Sequence, residues 1–119
     1  MGQEQLQEKH QIKVGEQVEL LSNTYEFIGV TMDSRCPKDV TCVMAGWAMI
    51  EVKVTQHGEA PVIQTVKIPA TIPSNQNPEL LVMENGARIL AGVLTPYPVS
   101  TQTMEEREYC LELWVMGPA

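Results

Sequence analysis

Val43–Thr55, V-M-A-G-W-A-M-I-E-V-K-V-T, is the stretch that decides the fold. From Ala48 onward it alternates: Ala48, Ile50, Val52 and Val54 are apolar and small or β-branched, while Met49, Glu51, Lys53 and Thr55 stand between them. A period of two puts the first set on one face of an extended strand and the second on the other. One buried and one wet face belong to an antiparallel sheet lying over a core.

The same period recurs on both sides of this run. Upstream, Ile12, Val14, Val18 and Leu20 predict a first strand or bent pair interrupted by Gly15, and Tyr25, Phe27 and Val30 predict a second running toward Met32. A non-alternating loop follows from Asp33 to Cys42. Downstream, His57-Gly58-Glu59 predicts a turn into a partner strand around Val62, Val66 and Ile68. Three prolines within residues 69–78 exclude a central strand there and predict a long surface loop. Asn85-Gly86 accepts the positive φ angles of a type I′ turn, joining Leu80–Glu84 to Ala87–Leu94 as a hairpin that Pro96 and Pro98 end. Glu105, Glu106, Arg107 and Glu108 precede a last strand, Tyr109–Met116, with Leu111, Leu113 and Val115 on one face. No segment has a helical period. The expectation is a single all-β domain over residues 12–119, an antiparallel β-sandwich (immunoglobulin-like) or a small barrel of seven or eight strands, after a flexible N-terminal segment 1–11.

Size and charge narrow the function. A chain of 119 residues suits one domain. With two Trp, three Tyr and one Phe, its core must be aliphatic. The formal net charge is -7, and the eight Lys and Arg are scattered rather than clustered. Phosphate backbones and anionic lipid headgroups would be repelled over most of such a surface, so nucleic acid is not an expected partner. No apolar run is long enough for a transmembrane helix.

The cysteines are Cys36, Cys42 and Cys110. The C-x₅-C spacing is not the C-x-x-C of a dithiol redox site, and the pattern lacks the ligand density of a zinc site. Pro37, Lys38 and Asp39 supply turn chemistry between the first two, so a Cys36–Cys42 disulfide is expected, with Cys110 a buried free thiol. Closing that ring removes about 2 kcal/mol of unfolded-state entropy. The opening M-G-Q-E-Q-L-Q-E-K-H-Q has no apolar signal-peptide core. It reads as a mature N-terminus with an added start Met, which fits a periplasmic or secreted protein. The alternative is a cytoplasmic protein with reduced thiols.

Catalytic patterns are sparse. The two histidines, His10 and His57, fall in the expected tail and in a turn. There is no G-x-S-x-G, no glycine-rich phosphate loop and no H-E-x-x-H. Asp33 and Asp39 flank the cysteines and suit turn support, or a hard cation as the alternative. The seven methionines are too dispersed for a copper site and read as core filler. No cofactor or metal is expected. Cys110, Trp114 and Met116 lie opposite the buried face of the last strand, as Trp47 and Met49 do on theirs. Either a loop or the other sheet covers them, or they form an apolar patch for a partner or a second copy of the chain.

Asp33-Ser34-Arg35-Cys36-Pro37-Lys38-Asp39-Val40-Thr41-Cys42-Val43-Met44-Ala45-Gly46 resembles a family of small bacterial, usually exported proteins that share a D-S-R-C-P-x-x-V-x-C-[IV]-W-A-G signature. Leu94-Thr95-Pro96-Tyr97-Pro98 and Tyr109 resemble that family's later pattern. Met44 departs from it, standing where the family usually carries Trp, with Trp47 close by. The resemblance runs from about residue 12 and implies an exported β-sandwich with the disulfide in place; it supplies no catalytic residues. Within the loop, Arg35 either pairs with Asp33 across the base or satisfies carbonyls of a neighbouring strand, while Pro37 stiffens it.

Together these readings lead to a non-catalytic binding module of the cell envelope. Its expected interaction loop is Asp33, Arg35, Pro37, Lys38 and Asp39, and its expected patch is Trp47, Met49, Trp114 and Met116, facing an unidentified protein or small molecule, or a second copy in a homodimer. Two alternatives compete. One is a proteinase inhibitor presenting Lys38 or Arg35 from the closed loop 35–42. The other is a cation-dependent enzyme using the loop carboxylates.

Overall fold

The computed structural model describes residues 4–37, 39–44, 46–69, 79–84, 87–96, 98–99, 103 and 108–118. They form eight strands and no helix: β1 (Glu4–Lys13), β2 (Gln17–Leu20), β3 (Asn23–Asp33), β4 (Trp47–Thr55), β5 (Val62–Pro69), β6 (Glu79–Glu84), β7 (Ala87–Thr95) and β8 (Cys110–Pro118). Two four-stranded antiparallel sheets result, one ordered β1-β8-β7-β6 and the other β2-β3-β4-β5. The protein is therefore an all-β sandwich. Each sheet is built from strands adjacent in sequence, and β1 returns to pair with β8. The chain changes sheet after β1 and again after β5 and otherwise runs between neighbouring strands, a simpler connectivity than an immunoglobulin Greek key.

The alternating residues line the space between the sheets. Ala48, Ile50, Val52 and Val54 face Tyr25, Phe27, Val66 and Ile68 in their own sheet, and Ile89, Ala91, Leu94, Leu111, Leu113 and Val115 come from the other. Each fully buried Ile, Leu, Val or Phe contributes about 1.5–3 kcal/mol, which is how an aliphatic chain holds a sandwich with so few aromatic rings.

Three departures from strict alternation bear on side-chain direction. The β3–β4 register slips between Phe27 and Gly29 and again between Val30 and Met32. At the second slip Thr31 is the extra residue, exposed and donating its hydroxyl to the Met49 carbonyl at 3.2 Å. Past it, Met32 pairs with outward-facing Met49, and Asp33 pairs with fully buried Ala48. Strict alternation from Val30 would have pointed Asp33 outward; the bulge turns it inward. The third, in β7 between Ala91 and Val93, includes Gly92, where a Cβ would overlap the Trp114 indole.

The N-terminal segment corrects the expectation of a flexible 1–11. Strand β1 reaches back to Glu4 and pairs with β8 from Lys13↔Cys110 to Glu4↔Pro118. Its polar sequence conceals it, because backbone bonds to β8 rather than apolar burial hold it; Ile12 is its one buried residue among those described. His10 accordingly lies in a strand, with Nε2 2.6 Å from the Glu8 carboxylate. The expected first strand or bent pair at 12–20 is the end of β1 and the whole of β2, which lie in different sheets, so the chain crosses between the sheets here. The chain turns at Gly15, φ +89°, where the Gly15 N–H donates to the Phe27 carbonyl at 2.8 Å.

The expected β4–β5 hairpin is present, with Gly58 at φ +81° and the Glu59 N–H donating to the Gln56 carbonyl. Strands β6 and β7 pair from Glu84↔Ala87, as a two-residue connection requires. The Asn85-Gly86 pair itself, the proline-rich run 70–78 and residues 105–107 lie outside the described residues.

Candidate functional site: the loop between β3 and β4

The loop between Asp33 and Trp47 has a base and a tip of opposite character. At the base the Ser34 N–H donates to the Trp47 carbonyl at 2.8 Å, and the Ser34 hydroxyl reaches the same oxygen at 2.8 Å. Gly46, at φ +78°, makes this closure feasible, since a Cβ there would overlap the Ser34 carbonyl.

Arg35 plugs the end of the sandwich. The residue is 2 % exposed, and neither its side chain nor that of Asp33 reaches solvent. Its Nε donates to Asp33 Oδ1 and its Nη2 to Asp33 Oδ2, both at 2.8 Å, giving a fork-to-fork pair. Nη1 donates to the Leu94 carbonyl at 2.7 Å and Nη2 to the Pro96 carbonyl at 2.9 Å. Tyr109 donates its hydroxyl to Asp33 Oδ2 at 2.8 Å. Asp33 belongs to one sheet, whereas Leu94 is in β7 of the other, with Pro96 just beyond that strand and Tyr109 just before β8. One guanidinium therefore ties the sheets together where the loop departs. Burial alone would raise the Asp33 carboxyl, but the hydrogen bonds from Arg35 and Tyr109 and the guanidinium's charge outweigh it and hold the group below the usual carboxylate range.

Both uses expected of Arg35, pairing with Asp33 and satisfying strand carbonyls, occur together. Asp33 and Arg35 are consequently withdrawn from the expected interaction loop, because no partner surface can reach buried groups. Arg35 is equally removed as a residue to enter a protease pocket, and Asp33 as an accessible carboxylate for a cation. Pro37 is half-buried and Asp39 exposed, while Lys38 lies outside the described residues.

Beyond the base, Cys36 and Cys42 are disulfide-bonded, with Cα atoms 5.9 Å apart. The ring and its exit display aliphatic side chains to water: Val40 is 45 % exposed, Met44 70 % and Val43 fully exposed at 103 %. Sequence reading singled out none of the three as a surface. Their signal was available, as apolar residues in a segment with neither helical nor strand period.

The expected patch of Trp47, Met49, Trp114 and Met116 is corrected. The first two stand on the outer face of β4 and the others on the outer face of β8, so the core separates them. All four are half-buried. The Lys67 ammonium sits 4.5 Å from the Trp47 ring centroid. Trp114 lies over Gly92, donates its Nε1–H to Glu112 Oε1 at 2.6 Å, and has the Lys9 ammonium 5.7 Å from its ring. Neighbours on each sheet thus cover much of each indole.

Cys110 is free, and half-buried rather than buried. Burial pushes its thiol pKa up, with Lys13 opposing and Glu16 and Glu112 adding to the rise. Among the described residues no group of three or more His, Cys, Asp or Glu is gathered as a metal site, and no helix is long and apolar enough to cross a membrane. No family model, curated protein or solved structure matches the chain.

Proposed function

We propose that this protein is a non-catalytic binding module of the bacterial cell envelope, periplasmic or secreted, which engages a partner protein through the tip formed by Val40, Val43 and Met44. The observation that carries this reading is the tip itself. Three aliphatic side chains stand in water on a disulfide-closed loop whose base is bolted between two sheets. Exposed apolar side chains on a stiff support mark an interaction site, because little entropy is lost when they dock. Three apolar side chains on one short loop suit insertion into an apolar groove rather than the broad face, about 800 Å² per partner, of a stable dimer. Burying Val43 and Met44 is worth roughly 1.5–3 kcal/mol each, or about 10²–10⁴-fold in Kd together. The disulfide supports an oxidising compartment, in keeping with the export implied by the resemblance of residues 33–46.

Photo-crosslinking in the bacterium that makes the protein tests this reading. A photoreactive residue at position 43 is expected to give a discrete adduct that M44D abolishes, and one at exposed Val14, in the β1–β2 corner, is expected to give none. Equal labelling from both positions overturns the assignment. An adduct of twice the chain's mass replaces the partner with a second copy.

A further inference from the structure

We infer that the Cys36–Cys42 bond is a local clamp on the tip, whose reduction by a dithiol loosens the binding loop while the sandwich stays folded. The inference rests on the binding reading above for its purpose, and on the two-tier anchoring of the loop for its physics. The base holds without the disulfide: the Ser34–Trp47 hydrogen bonds, Gly46 packed on the Ser34 carbonyl, and Arg35 spanning to Leu94 and Pro96 involve neither sulfur. The tip is held differently. Among the described residues of the ring, one backbone–backbone hydrogen bond occurs, from the Val40 N–H to the Pro37 carbonyl at 3.2 Å, and residues 39–44 that are described are all exposed. The ring closure is what the two sulfurs add to this exposed segment.

The bond is also reachable. Cys42 is exposed and Cys36 half-buried, so a thiolate from a protein or small-molecule dithiol attacks Cys42 Sγ. The S–S bond breaks and Cys36 leaves as a thiolate that takes up a proton. The reductant's second thiol then attacks the mixed disulfide, forms the reductant's own disulfide and releases the Cys42 thiolate, which is protonated in turn. Two electrons and two protons pass from the dithiol to the loop.

The test uses the full chain without a partner, oxidised and after dithiothreitol, alongside C36S/C42S. Reduction is expected to speed cleavage within residues 37–44 by a broad-specificity protease at least tenfold, mapped by mass spectrometry. The far-UV spectrum should stay unchanged, and Tm should fall by roughly 5–12 °C. The double variant is expected to match the reduced protein and to ignore dithiothreitol. Loss of β structure on reduction, or cleavage no faster than before, overturns the clamp. In the crosslinking assay, C36S/C42S is expected to lose at least nine-tenths of the position-43 adduct. Undiminished crosslinking by that variant overturns the gating and leaves the binding site standing; absence of crosslinking from every variant removes the site and leaves the protease result to judge the clamp.

Discussion

The base and the tip of one loop invert the ordinary rule for where residues go. At the base a carboxylate and a guanidinium are sealed from water, and a few residues further on Val43 and Met44 stand in it. The difference teaches how the two parts divide their work. A buried ion pair is an uncertain source of net stability, because desolvation offsets its attraction, but its directional bonds admit one arrangement. The exposed aliphatics bring no order of their own and depend on a base already in place. Position is set in the interior, and the surface displayed is set at the tip.

The largest effect that would break this contrast comes from the base. Replacing Arg35 by Met leaves the Asp33 carboxylate buried without its partner and the Leu94 and Pro96 carbonyls without their donors, so unfolding in urea should show a loss of about 3–5 kcal/mol. Combining it with Asp33→Asn should restore part of that loss. A single variant within 1 kcal/mol of the parent, on the scale of an ordinary surface change, would demote the pin to decoration.

Acid gives a smaller effect, since protonation leaves Arg35 bonded to both carbonyls. Because the folded protein holds Asp33 below the ordinary carboxylate value, its contribution is complete above that value, about pH 3.9, and is lost as pH falls through the lower folded pKa. Denaturant midpoints measured from pH 5 downward should therefore decline more steeply for the parent than for Asp33→Asn. Parallel curves would mean the carboxylate is not what the pin depends on.

The smallest effect sharpens the comparison from the other side. V43D/M44D should leave stability within about 0.5 kcal/mol of the parent, because both side chains are already in water. A loss of several kcal/mol would show that the tip is packed in solution and would remove the reason for calling it a docking surface.

Much of the fold was legible because burial on one side of a strand leaves a period of two in the chain. Ala48 through Val54 and Leu111 through Val115 behave as that period requires, and the cysteine pair closes as its turn residues suggest. Strand β1 was concealed because an edge strand held by backbone pairing needs no apolar pattern. The two tryptophans were grouped wrongly because outward-facing residues of two strands look alike until the strands are assigned to sheets. The site was legible in part: pairing with Asp33 and bonding to strand carbonyls were the two alternatives for Arg35, and it does both, but the tip beyond was not recognised as a surface.

Read alone, the chain already showed that it is β, where most strands run, and that a loop from Asp33 to Cys42 is closed by its cysteines. These are local matters, settled by side-chain period, turn chemistry and short loop closure. Only the tertiary structure decided that Asp33 faces inward, that Arg35 meets Leu94 and Pro96 across the sandwich, and that Val43 and Met44 remain in water. Those outcomes depend on two one-residue slips in β3, before Gly29 and at Thr31, and on which strands become neighbours, and contacts between distant residues leave no periodic trace along the chain.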